Sequence, residues 1–442
     1  SGLTNQLLLK GNITIQGAET LALNKPSKTD SFQLGGIECS LSDISYPLLH
    51  APYTIQVKNL LMDSKKEILQ IDSLKIIPQN KHLEYGKKKV DQTVQVAVGA
   101  GKIEITKFDL LQMLLTAQQN KYSSNKNLYA SSISVNDLSM RLILYNKRQQ
   151  HQQSFYFQHA SFTVVNFVKI IFNESIFINN LNFEQGDIKL DPFLLESKNT
   201  SHAKFLAYLN IPFKKVSINN LGLSKVKIWL HSDKVNQMLL RGDIAVNKVE
   251  LDSLNKSVAN DFHLEAIKSN FSNINYPLPD SYYTIHIKNL IADSRKEILR
   301  IDSLKIIPRY SKFEFGKYSG RQADRVEATI AEIAISKLDI IQLINKKLIA
   351  DQVIFTNSNV SVFRDRRLHR QLKEQLMPDG YLKKIPFEVR VNTFKINNAS
   401  VLYEEFPKGG TQTGMLKIGK INLWMSPVLN HPHKNDPDYT DT

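Results

Sequence analysis

The chain has 442 residues and a formal net charge of +15, with 57 Lys and Arg against 42 Asp and Glu. An apolar fraction of 42% with 22% charged residues excludes a disordered, tail-like chain and is enough for one large or two medium cores. A single cysteine, Cys39, excludes an internal disulfide and any cysteine-based metal cluster, and no run approaches the ~20 apolar residues of a membrane-spanning helix.

In chain order, residues 1–31 hold one strand-like piece, Ile13 to Ile15, and a polar loop with Pro26. Residues 32–112 read as strands joined by brief turns. In Ile55-Gln-Val57-Lys-Asn-Leu60 apolar and polar residues alternate, so a pleated strand turns one face to a core and the other to water. The run Leu69-Gln-Ile71-Asp-Ser-Leu74 does the same around a polar Asp-Ser pair that predicts a bend. The period then changes. Thr106-Lys-Phe-Asp109 places a hydroxyl three residues before a carboxylate, ahead of an apolar run, and predicts a capped helix of about three turns. Residues 118–127 form a polar insertion, and Ile133 to Tyr145 alternate again. The tract Gln149 to Gln153 predicts a surface loop, residues 155–189 are strand-rich, and Glu196 to His202 is a polar seam.

Beyond the seam the chain repeats itself. Tyr283 to Pro308 matches Tyr53 to Pro78 at all but six of 26 positions, at an offset of 230. Ser336-Lys-Leu-Asp339 repeats the helix-start pattern, with Leu338, Ile341, Ile344 and Leu348 on one side. Later, Phe387-Glu-Val389-Arg-Val391-Asn is a strict alternation, and the residues from Leu429 read as a frayed tail. This predicts a tandem duplication, with repeats at 1–200 and 201–428 and a polar tail at 429–442. The fold class is all-β dominated with a few short helices, an elongated, curved antiparallel sheet able to form a groove.

Chemistry is harder to find. No Gly-rich phosphate loop, nucleophile elbow, HExxH or EF-hand loop occurs, so the chain reads as a non-enzyme with no cofactor. His431 and His433 with Asp436 and Asp438 lie in the polar tail, which supplies no rigid metal site. Glu404 and Glu405 are adjacent strand residues and point to opposite faces, which argues against an acid/base pair. Basic residues are scattered, apart from Lys87 to Lys89 and the run Arg364-Asp-Arg366-Arg367. Without aromatic interleaving this speaks against nucleic acid and leaves a solvated face or contact with an anionic membrane surface.

The run Ile335 to Asp365, with a strand, a short helix ending in Lys346-Lys347-Leu348, and a second strand with Val353, Val360 and Val362, resembles the recurring unit of AsmA-like cell-envelope proteins of the Bacteroidetes type. Pro308 to Phe315 (PRYSKFEF), Asp324-Arg325, Phe363-Arg364-Asp365 and Tyr403-Glu404-Glu405 resemble the same family. The first copy departs at these places, with Val94-Gln95 and Leu144-Tyr145 instead.

The resemblance implies a periplasmic protein, anchored in the inner membrane through a segment outside this sequence, whose repeated β-groove binds phospholipid or another envelope lipid and supports lipid transport. Groove-lining candidates are Ile285, Ile287, Leu304, Ile306, Phe387, Val389 and Val391. Headgroup candidates are Arg309, Lys312, Arg325, Arg364, Arg366 and Arg367. The alternative is an envelope scaffold or interaction module whose apolar faces pack as ordinary β-sandwiches.

Overall fold

A computed structural model of the chain describes residues 8–20, 32–47, 53–78, 92–107, 129–146, 149–166, 175–191, 215–232, 236–252, 262–278, 282–344, 346–369 and 378–430. The strands are β1 (Leu8–Thr20), β2 (Phe32–Pro47), β3 (Tyr53–Asp63), β4 (Ile68–Pro78), β5 (Gln92–Thr106), β6 (Tyr129–Asn146), β7 (Gln149–Asn166), β8 (Ser175–Leu190) and β9 (Lys215–His231). They continue with β10 (Asn236–Asp252), β11 (Phe262–Pro277), β12 (Tyr283–Asp293), β13 (Ile298–Pro308), β14 (Arg325–Ser336), β15 (Lys347–Asp365), β16 (Glu388–Phe406), β17 (Gly414–Met425) and β18 (Val428–Leu429). Short helices are α1 (Lys312–Ser319), α2 (Ile340–Ile344) and α3 (Pro378–Lys383). The tract from Gln149 to Gln153, expected as a loop, is instead the start of β7, paired with the end of β6.

The chain divides into two units, Ser1–Gln237 with Ala245–Glu265, and Met238–Ile244 with Ala266–Thr442. This boundary falls later than the polar seam at 196–202. The reason is that β9, beyond the seam, runs parallel to β8 from Ser175↔Lys215 to Leu190↔Leu230 and so belongs with the first unit.

Each unit is one open, mostly antiparallel sheet. In the first, β1 to β8 pair in sequence order as antiparallel neighbours and β8 pairs with β9 in parallel. In the second, β11 to β15 do likewise, β15 and β16 are parallel, and β17 and β18 both lie antiparallel to β16. The parallel pairs stack asparagines in register, Asn220 on Asn180 at 2.8 Å and Asn398 on Asn357 at 2.7 Å. The described strands of each unit belong to a single sheet; helix α1 lies against β14 and β15, and α2 lies against β15.

The duplication extends to register. The ladder Leu60↔Ile71 becomes Leu290↔Ile301, and β2–β4 share their bounds with β11–β13 at the constant offset. Repeated residues have repeated structural work. Asp63 and Asp293 each accept two backbone N–H groups in the turn that follows, while Ser64 and Ser294 accept the N–H of Ile37 and Ile267 at 2.7 and 2.9 Å.

Strands β2, β4, β6, β8, β11, β13, β15 and β16 each carry a residue in the left-handed region near the middle of the ladder. Asp43, Ser73, Asp137, Gln185, Asn273, Ser303, Asn357 and Asn398 all have φ between 51° and 55°. The ladders omit one pair at this row and resume in the same register, as at Asn289↔Asp302 and Ile287↔Leu304. The Asp-Ser bend read from sequence is this feature. A left-handed residue resets the pleat, so two successive residues share the outer face. A cluster in the first unit shows it by packing Val135 with Leu138, which flank the left-handed Asp137. Residues three apart on a regular strand would point to opposite faces. In the second unit Arg300 and Lys305 straddle Ser303 and are both exposed. Each sheet thereby keeps its apolar residues on one face across a polar dipeptide row.

The predicted three-turn helices need correction. In the second copy α2 spans only five residues. Its cap is Asp339, whose Oδ1 accepts the Gln342 N–H at 2.9 Å, while Ser336 ends β14 and Leu348 lies in β15. The matching segment of the first copy after Lys107 lies outside the described residues.

Candidate functional site

The apolar face of the second unit consists of cross-strand rows. One runs Ile287↔Leu304↔Ile330↔Ser358↔Ala399 and the next Ile285↔Ile306↔Ala328↔Val360↔Val401. Four groove candidates, Ile285, Ile287, Leu304 and Ile306, thus form one block. They are half-buried. Within this apolar row the Ser358 hydroxyl is buried without a hydrogen-bond partner, where the first copy has Leu138. Buried hydroxyls are ordinarily hydrogen-bonded, so this atom has unused capacity facing apolar surroundings.

The remaining groove candidates lie elsewhere. Val389 and Val391 are 7% and 3% exposed and belong to a packed core with Ala292, Leu338, Ile340, Ala350 and Val353, against which Phe387 also packs. Leu338 is fully buried, and its N–H donates to Glu297 O at 2.9 Å. Helix α2 therefore plugs one end of the face, and these three positions sit under the plug rather than on the uncovered stretch. The predicted tail begins later than expected. Leu429 pairs with Arg390, and Asn430 is 2% exposed, accepting the Val389 N–H at 2.8 Å and donating to Phe387 O at 2.6 Å. Residues 431–442, with the two histidines, lie outside the described residues, and no group of metal-ligating side chains occurs among the described ones.

The opposite end is closed by α1, missed in the sequence although its signals are present. Ser311 and Glu314 form a capping box, with Ser311 Oγ donating to Glu314 Oε2 at 2.7 Å, and Gly320 ends the helix at φ 68°. Phe315 is buried against Tyr282 and Tyr283, and Phe313 packs edge-on to Phe363 and Phe406.

Around this aromatic cap the headgroup candidates assemble, and five of the six are paired with carboxylates. Arg364 binds Asp324 through two 2.6 Å hydrogen bonds. Arg366 meets Glu405 at 3.0 Å, Arg367 meets Asp365 at 2.7 Å, Lys312 meets Glu404 at 2.6 Å and Arg325 meets Glu327 at 3.2 Å. Arg367 also stacks over Phe406 at 4.1 Å, while the Arg309 guanidinium donates to the Leu278 carbonyl at 3.4 Å. Five cations against five carboxylates leave no net charge in these pairs, so the run that looked like a basic patch is a structural network. The Glu404-Glu405 pair splits, one carboxylate to Lys312 and the other to Arg366 and Tyr403.

Electrostatic shifts follow the pairing. Hydrogen bonding from Arg367 holds the Asp365 carboxyl below its usual range, and hydrogen bonds from Tyr403 and Arg366 do the same for Glu405. Burial, with the Glu405 hydrogen bond, pushes the Tyr403 phenol up. No described helix is long and apolar enough to cross a membrane. No family model, no curated protein and no solved structure matches the chain.

Proposed function

We propose that the chain binds acyl chains of a lipid along the uncovered apolar face of its sheets, without catalysing a reaction, and supports lipid movement or membrane organisation in a cell envelope. The observation that carries this reading is the single-layer sheet. Apolar rows from β12 to β16 lie between two plugged ends, and the described strands of the second unit form one sheet rather than two stacked ones. Ordinary globular sheets cover such a face.

The energetics favour an acyl chain as occupant. Leaving a bilayer costs a ~16-carbon chain on the order of 13 kcal/mol at ~0.8 kcal/mol per CH₂, and an apolar trough offsets most of it. The resemblance of Ile335 to Asp365 to AsmA-like units supports a periplasmic setting and an anchor in the inner membrane. An anionic membrane surface would be met by cations other than the Arg364 to Arg367 network, which is neutralised internally.

Organic extraction of the purified chain, followed by mass spectrometry, tests the reading. Stoichiometric phospholipid is the expected result. A lipid-free chain that also takes up none from vesicles would overturn it, and leave the scaffold or interaction role.

A further inference from the structure

Three segments of the chain share one pattern without a gap. Ile13 to Thr20 reads ITIQGAET, Ile244 to Leu251 reads IAVNKVEL, and Leu416 to Leu423 reads LKIGKINL. The likeness extends to the backbone. Lys248 and Lys420 fall at the same place in the pattern, and both are left-handed, at φ 52° and 57°. Strands β10 and β17 also follow the two parallel pairs, β8 with β9 and β15 with β16. Strand β17 is therefore the counterpart of β1 and β10.

The other two have a filled second edge. In the first unit β1 pairs antiparallel with β2, from Lys10↔Ser42 to Thr20↔Phe32. Within the second unit the Met238–Ile244 part of β10 lies against β11. Arg241 Nε donates to Ser272 Oγ at 3.3 Å, and a Cβ on Gly242 would sit 2.2 Å from the Asn270 carbonyl oxygen. The two partner strands open alike, Phe32-x-Leu34-x-x-Ile37 and Phe262-x-Leu264-x-x-Ile267. Strand β17 pairs with β16, and within the second unit no described strand pairs with its other edge. Exposure registers the difference. Val246 in β10 is 8% exposed, whereas its counterpart Ile418 is 49% exposed, beside Met415 at 71% and Leu416 at 58%.

We propose that the outer edge of β17 accepts an antiparallel strand of the β2 and β11 type, an extended segment carrying Phe-x-Leu-x-x-Ile. The unpaired main-chain groups supply the hydrogen bonds, and the exposed apolar side chains select the partner's pattern. Lys417 and Lys420 on the same strand oppose indiscriminate edge-to-edge pairing.

The test titrates a synthetic peptide with the sequence Phe262 to Pro277 into the full chain. Trp229→Phe leaves Trp424, on β17 and 65% exposed, as the one remaining tryptophan. A saturable blue shift of its emission is expected. Ile418→Lys, with an unchanged circular dichroism spectrum, should weaken binding by about tenfold or more, and a peptide carrying Ala266→Pro and Lys268→Pro should not bind. If Trp229→Phe does not fold, fluorescence anisotropy of a labelled peptide with the unmodified chain gives the same reading. Absence of saturable binding, or binding indifferent to Ile418→Lys, overturns the proposal. Failure of the peptide together with self-association that Ile418→Lys abolishes also overturns it, by assigning the edge to a second copy.

Discussion

Arg364 clasps Asp324 side-on, Nε to Oδ1 and Nη2 to Oδ2, both at 2.6 Å, and the first copy replaces both residues at once. Its counterparts Val94 and Leu144 face each other directly across β5 and β6. Two polar residues in one copy are thus two apolar register partners in the other. Arg364→Leu alone should destabilise the second unit by leaving Asp324 unmatched, and Asp324→Val with Arg364→Leu should recover much of the loss. A double-mutant cycle by urea denaturation should give a coupling of about 1 kcal/mol, since both partners are partly exposed. By the same logic Arg364→Glu should lower the melting temperature while leaving affinity for anionic vesicles nearly unchanged.

The same network sets an acid limit. Asp365 and Glu405 have carboxyls depressed by Arg367 and by Tyr403 with Arg366, respectively. A carboxylate whose folded pKa lies below its unfolded value binds fewer protons when folded, so stability rises with pH through that window. The contribution is fully present above the ordinary carboxylate range, about pH 4 to 4.5, and is lost as pH falls through the depressed folded values. Melting temperature measured from pH 6 to 3 should therefore fall most steeply below about pH 4.5, and Asp365→Asn should flatten part of that slope.

The left-handed row gives a sign-specific prediction. A non-glycine residue in this region carries a cost of about 1–2 kcal/mol that glycine avoids. Ser303→Gly should be neutral or stabilising, whereas Ser303→Ile should cost about 2 kcal/mol or more. Ser73 in the first copy, with the same φ of 54°, should respond in the same order. A regular strand at either position would reverse the ranking, because isoleucine is the better strand former.

Asn430 pins the start of β16 by bonding both Phe387 O and Val389 N from a site 2% exposed. Asn430→Ala leaves one buried and one part-buried backbone group unmatched and should cost about 2–6 kcal/mol, at ~1–3 kcal/mol for each. Amide hydrogen exchange at Val389 should accelerate accordingly.

Sequence alone disclosed the duplication, the strands and the Asp302-Ser303 bend, because period-2 alternation and near-identity are local signals. The left-handed row was legible only there. Elsewhere it is carried by Asp43, Asp137, Gln185, Asn357 and Asn398, with no glycine to mark it. Its trace is the shift of apolar parity, from Ile285 and Ile287 to Leu290 and Ala292. Helix α2 was overextended because Leu338 and Leu348 match a helical period by chance. One is a buried plug residue and the other a strand residue. The neutral character of the Arg364 cluster could not be read, since Asp324, Glu404 and Glu405 reach it from distant parts of the chain. The groove candidates at 387–391 failed to reach the open stretch for a similar reason. Their cover comes from Leu338 and Ile340, some fifty residues earlier.

The most direct measurement is face-specific photocrosslinking. Ile287 lies on the uncovered apolar face, whereas Ile291, one position beyond Leu290 in the same strand, is 36% exposed on the other. A photoreactive phenylalanine at Ile287 should crosslink to radiolabelled phospholipid acyl chains, and the same residue at Ile291 should not. Equal crosslinking from both positions, or none from Ile287 in a folded chain, would contradict a lipid-binding face.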